Sequence, residues 1–225
     1  MDLSKIEMIF DPSTIKGRIH IIGCGSVGST LAELLARYGI TKFTLYDMDF
    51  VESKNIVNQM FFQPNIAHSK VEAMANILCN INPDVKEDLI LKPEGWQGET
   101  VKGYAFLAVD NIEIRKQFME KNKYNPNLLG VFDIRTGFPE AQCWSADWSD
   151  RKQIENLQRS MAFTHEEAQA ATHVSACGII QGCAPTVRLI ACEAIANFIN
   201  FTSDKGLKKQ IIVNPFNLDN AVVAF

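Results

Sequence analysis

A strand that runs into a glycine-rich turn and straight out into a helix leaves a chain few folds to adopt, and residues 18–38 have that form. Arg18-Ile19-His20-Ile21-Ile22 is rich in β-branched residues and ends at Gly23-Cys24-Gly25-Ser26-Val27-Gly28. Ser29 to Tyr38 follows with helix formers and leucines at 31, 34 and 35, and Gly39 stops it. Amides at such a helix start, aided by the helix dipole, hold phosphate, and missing side chains let the phosphate come close. Gly23, Gly25, Ser26, Val27 and Gly28 are therefore predicted to form a phosphate-cradling turn. Lys42 to Tyr46 then reads as a second strand delivering Asp47 at its carboxyl end, which completes a βαβ unit.

The alternation continues. Lys70 opens a helix predicted over residues 71–80 and closed by Asn82-Pro83. The apolar run Tyr104 to Val109 suits a strand buried on both faces of a parallel sheet and ends at Asp110-Asn111. A helix from about Ile112 to Lys121 and a strand from Leu128 to Ile134 follow. This order predicts an α/β chain: a Rossmann-like, doubly wound, mostly parallel sheet with helices on both faces. Beyond Phe138 the pattern changes. Ala141 to Ala146 reads as another strand, and Asp147 to Thr172 as a polar, mobile excursion without an apolar period. Gly178 to Phe201 reads as an apolar helix with Pro185 in its first turn, and residues 210–213 and 220–225 as edge strands that add antiparallel character on the C-terminal side. The 225 residues fit one domain, with a nucleotide-binding half over 1–140 and the excursion, late helix and edge strands over 141–225.

Charge and cysteine usage narrow the function. A net charge of −4 offers no basic face for nucleic acid, so nucleic acid is not an expected partner. No apolar run approaches the roughly 18 residues that span a bilayer, and the first residues lack a signal-peptide pattern, so no membrane association and a cytoplasmic location are expected. The six cysteines contain no pair at Cys-x-x-Cys spacing, which predicts no structural zinc and no disulfide framework.

Asp47 follows Gly23 by 24 residues, near the spacing at which an acid bonds ribose hydroxyls, and this fits NAD or ATP equally. The residues after it are more particular. Asp47 and Asp49 form a double-acid strand end followed by Val51-Glu52, then Asn55-Ile56-Val57-Asn58-Gln59, then Lys70, then Asp110-Asn111 and Arg115. In this order the chain resembles the ThiF/MoeB/HesA superfamily of adenylating enzymes related to ubiquitin-activating enzymes, from about Arg18 to Asp110 and again around Cys177 to Phe198. That resemblance implies an ATP-dependent adenylyltransferase that activates the C-terminal carboxylate of a ubiquitin-like or sulfur-carrier protein, often ending in Gly-Gly, and releases pyrophosphate. By the same likeness Lys70 would meet the phosphates, Asp110 would hold Mg2+, Asp47 with Asp49 would form the ribose end of the site, and Asn55 and Gln59 would orient phosphate or the attacking carboxylate. It also implies a homodimer.

The match has gaps. Most competent relatives carry arginine where this chain has Asn58, and the N-terminal arginine lent across the dimer has no obvious equivalent among Met1 to Lys16, which makes Arg37, Arg115 and Arg135 candidates to compensate. With Asp133-Ile134-Arg135-Thr136-Gly137, this form resembles a phage- and plasmid-associated branch of the ThiF family. Cys177, near the start of the late helix, is a candidate nucleophile, with His173 close by in sequence. Two other readings stay open: a nucleotide-binding scaffold that has lost turnover, and an NAD-dependent oxidoreductase.

Overall fold

The computed structural model describes residues 1–164, 166–167, 182–219 and 221–225. Strands β1 (Arg18–Ile22), β2 (Phe43–Tyr46), β3 (Leu89–Lys92), β4 (Gly103–Leu107), β5 (Leu128–Thr136), β6 (Ala141–Asp147), β7 (Gln210–Val213) and β8 (Val222–Ala224) form one eight-stranded sheet in the order β3-β2-β1-β4-β5-β6-β7-β8. The first five are mutually parallel and the last three run antiparallel to their neighbours. The parallel strands alternate by face. Ile19, Ile21, Phe43, Leu45, Tyr104, Phe106, Phe132 and Ile134 pack with helices α1 (Ser26–Arg37), α2 (Lys70–Ile81) and α5 (Ala184–Thr202). Tyr46, Ala105, Leu107 and Val131 pack with α3 (Ile112–Asn122) and α4 (Arg151–Arg159) on the other face. The doubly wound, mostly parallel sheet read from the sequence is the observed architecture. No helix of the described residues is long and apolar enough to cross a membrane.

Three elements depart from the sequence reading. Helix α1 starts at Ser26, inside the glycine segment, rather than at Ser29. Strand β3 was not read, because Leu89-Ile90-Leu91-Lys92 is short and lies at the sheet edge, half-exposed. The expectation of an irregular excursion from Asp147 is overturned over Arg151–Arg159, which is helical. Asp150 caps that helix by accepting from the Lys152 and Gln153 amides. Ile154 and Leu157 alone are buried within it, while Trp148 and Met161 extend the apolar contact at either end. A single stripe of so few apolar positions is enough for a helix lying on a sheet and too sparse to stand out as a period. Within that excursion residues 165 and 168–172 lie outside the described residues, as do Cys177 and His173.

Candidate functional site

Strand order reverses between β1 and β4, the place where open α/β sheets form a crevice beyond their carboxyl ends. Ile22 pairs with Leu107 across this junction, and the Ala108 amide continues the ladder to the Ile22 carbonyl at 2.8 Å. The glycine turn after β1 is thereby laid against the segment that leads to Asp110. Gly23 has φ +94°, and a Cβ there would sit 2.9 Å from the Ala108 and Val109 backbone. Gly28, in the first turn of α1, would place a Cβ 1.8 Å from the Gly23 carbonyl oxygen. Both positions are closed to any side chain by backbone. Gly25 differs, since its Cβ direction meets nothing within 4 Å and opens to the crevice. Gly25 also caps α1 without any side-chain hydrogen bond, so the first-turn amides are left for a ligand.

Asp47 braces this turn from β2. One carboxylate oxygen accepts from the Cys24 amide at 2.6 Å and the other from the Asp49 amide at 2.9 Å. Burial raises the Asp47 pKa, against the lowering pull of Lys70 and the two amides. Burial likewise holds the Cys24 thiol well above its ordinary pKa, reinforced by the Asp47 charge, so this cysteine packs as a small apolar group.

Lys70 arrives by a local pairing. The Val51 amide donates to the His68 carbonyl and the Val51 carbonyl accepts from the Ala67 amide, Phe50 bridges Ser69, and the Lys70 amide donates to the Asp49 carbonyl at 2.9 Å. Lys70 is 7% exposed and its ammonium donates to Asp49 at 2.7 Å. Asp49 itself is exposed. A buried ammonium held by one solvent-facing carboxylate is a cation that an incoming anion can share.

The 53–57 segment forms a 3₁₀ turn in which buried Asn55 accepts from the Glu52 amide through Oδ1 at 2.8 Å. Among the described residues its Nδ2 has no hydrogen-bond partner and can meet a ligand oxygen. The Gln59 amide donates to the Asn55 carbonyl at 2.9 Å, and the Met60 amide to Ser29 Oγ of α1 at 3.1 Å. The turn is thus clamped onto the first helix, and Gln59 Oε1 is buried there without a hydrogen-bond partner among the described residues. An orphaned buried amide oxygen is costly and marks a place where a donor belongs. Asn58 Nδ2 packs against Gly182, where a Cβ would approach it to 2.4 Å.

Asp110 is exposed, at the crevice end of β4, and has no hydrogen-bond or ion-pair partner among the described residues. The cap of α3 is its neighbour Asn111, which accepts from the Glu113 amide at 2.8 Å. No group of three or more His, Cys, Asp or Glu among the described residues is arranged to hold a metal alone. A magnesium ion carried by nucleotide phosphates needs only one or two protein carboxylates, and a free exposed carboxylate at this position fits that requirement.

The three arginines weighed as replacements are engaged. Arg37 closes on Glu33 within α1. Arg115 and Arg135 both pair with Asp133, which is fully buried in β5. Arg115 also donates to the Leu107, Val109 and Ile134 carbonyls, tying the ends of β4 and β5 together. Arg135 reaches Ser160 at the end of α4 and lies over the Phe163 ring. The Asp133 triad was not read from the sequence, since its members are 18 and 2 residues apart and only the sheet brings them together.

The ThiF family model matches residues 14–121. The ubiquitin-like modifier-activating enzyme 5 of Gallus gallus is 38% identical over 123 residues, covering 54% of this chain and 27% of the relative. That of Xenopus laevis is 52% identical over 104 residues, covering 46% of this chain and 22% of the relative. The matched stretch therefore spans about a quarter of the length of these curated relatives. Among solved structures, E. coli MccB with ATP aligns at TM-score 0.70 and 16% identity, covering 95% of this chain and 65% of that one. PaaA aligns at TM-score 0.71 and 15% identity, covering 100% of this chain and 84% of that one. Over residues 14–121, the stretch that carries the glycine turn, Lys70 and Asp110, the chain is similar to the ThiF family, and it shares the fold of MccB and PaaA.

Proposed function

We propose that this chain is an ATP-dependent adenylyltransferase that activates the C-terminal carboxylate of a ubiquitin-like or sulfur-carrier protein ending in Gly-Gly, working as a homodimer in the cytoplasm. The observation that carries this reading is the convergence at one crevice of uncapped α1 amides, a buried ammonium shared with a single exposed carboxylate, and the free Asp110 carboxylate. An anionic nucleotide and an anionic carboxylate need that combination in order to approach each other. The α1 amides and Lys70 receive phosphate, Asp47 and Asp49 form the ribose side, and the Asn55 and Gln59 amides orient oxygens above α1. Magnesium, held by Asp110 and phosphate oxygens, would supply charge neutralisation. A carboxylate oxygen of the partner attacks the α-phosphorus, the bond from that phosphorus to the bridging oxygen breaks, and pyrophosphate leaves with the electron pair.

ATP–pyrophosphate exchange with a Gly-Gly-ended partner tests the proposal. Exchange is expected in the wild type, with a fall of roughly 100-fold or more in Lys70→Ala. A folded protein that binds ATP yet shows no exchange across a panel of partners favours the alternative, a scaffold without turnover, to which the engagement of Arg37, Arg115 and Arg135 lends support. Tighter binding of NAD than of ATP would overturn both.

A further inference from the structure

A nucleoside triphosphate brings more negative charge than one lysine already matched to Asp49 can meet, and most arginines are committed elsewhere. Arg18 pairs with Asp88, Arg37 with Glu33, Arg115 and Arg135 with Asp133, Arg151 with Glu155, and Lys54 with Glu52. Arg159 is exposed on α4 and, among the described residues, its side chain bonds only Asn156. Arg188, in the second turn of α5, is different. It is half-buried and has no carboxylate within ion-pair distance among the described residues.

Its surroundings fix where it sits. The guanidinium Nη1 donates to Thr30 Oγ1 and touches Met60 Sδ. Thr30 lies one turn, about 6 Å, into α1, and its own hydroxyl donates to the Ser26 carbonyl at 2.8 Å. Met60 follows Gln59 and is bonded to Ser29 of the same helix. The guanidinium is therefore placed beside the opening turn of α1, next to the segment that carries the orphaned Gln59 oxygen. A hydroxyl and a thioether are weak company for a planar cation with five donors, most of which are unused among the described residues. A partly desolvated guanidinium in that state calls for an anion that the protein does not itself provide.

We infer that Arg188 is a ligand for the phosphates of a nucleoside triphosphate beyond the one seated on the glycine turn, and so distinguishes triphosphate from monophosphate. This rests on the nucleotide reading proposed above and adds to it the residue that selects the length of the phosphate chain. Arg188 lies to the side of α1, so a single phosphate on the turn is served by the amides and a longer chain reaches the guanidinium.

The test is calorimetric titration of the full chain with Mg·ATP and with AMP, for wild type, Arg188→Gln and Arg188→Lys. Arg188→Gln is expected to weaken ATP by roughly 10- to 100-fold and to leave AMP unchanged, with Arg188→Lys intermediate. A folded Arg188→Gln that binds both ligands as the wild type does would overturn the inference. Should that variant fail to fold, arginine-selective dicarbonyl labelling of the wild type, mapped by mass spectrometry, decides the matter. Protection of Arg188 by ATP and not by AMP supports the inference, and equal labelling under both refutes it. Wild type that binds no ATP overturns the functional reading together with this one, whereas ATP binding indifferent to Arg188 overturns this one alone.

Discussion

Acidification should destabilise this protein through His20, a buried β1 residue 6% exposed. Its Nε2 lies 3.0 Å from the Lys102 carbonyl oxygen, which can only accept, so Nε2 carries the proton. Its Nδ1, 3.0 Å from the Tyr46 hydroxyl, accepts from it. The ring is thus satisfied as the neutral tautomer. Burial, with a further push from Arg18 and against the pull of the Lys102 carbonyl and Glu99, lowers its pKa from 6.5 to about 4. Between those values the unfolded chain binds the proton and the folded one does not, so stability falls as pH drops through this window and is constant above it. At about 1.4 kcal/mol per pH unit, the window corresponds to roughly 3 kcal/mol, or a fall in Tm of roughly 6–12 °C for a chain of this size. Burial raises the Asp47 pKa, which acts with the opposite sign, so the readout is the difference between wild type and His20→Gln. Thermal unfolding followed by circular dichroism at pH 7, 6, 5 and 4 should show a shallower decline in His20→Gln, the curves diverging below about pH 6.5 in the difference. Parallel curves would refute the assignment.

Other outcomes follow from neighbouring residues with unlike roles. Asn111→Ala should cost about 1 kcal/mol in urea unfolding by removing the α3 cap. Asp110→Ala should change stability by less than about 0.5 kcal/mol while abolishing pyrophosphate exchange, and the reverse pairing would sink the site assignment. Asp133→Ala strands Arg115 and Arg135 together in the interior and should cost roughly 3–5 kcal/mol in urea unfolding. A loss below about 1 kcal/mol would show that the triad is not the tie between β4 and β5 described above.

Much of the framework was legible because its signals are local. The β-branched run into Gly23, the buried run at 104–107 and Gly39 after α1 each act within a few residues, and the structure places strand, turn and helix there. Local signals fail where tertiary contact supplies the missing stabilisation. Helix α4 has two buried apolar side chains of its own and depends on the sheet face beneath it, so Ile154 and Leu157 carried too little pattern to be read. The same holds for β3, whose place is set by pairing with β2.

The site divides along the same line. Glycine at 23 and 28 is dictated by backbone approach, and the sequence already marked both, although the distances that forbid a side chain belong to contacts with Ala108 and across the turn. The candidate residues Asp47, Lys70 and Asp110 were named from their order in the chain. Only the fold decided that Asp47 braces the turn, that Lys70 is buried and shared with Asp49, and that the cap of α3 is Asn111 rather than Asp110. Charge matching explains why the sequence, which offered Arg37, Arg115 and Arg135 as replacements, did not point to Arg188. An ion pair depends on which side chains the sheet and helices bring within a few ångströms, and that geometry commits Arg37, Arg115 and Arg135 to carboxylates while leaving Arg188, 158 residues from Thr30 in the chain, beside the first turn of α1.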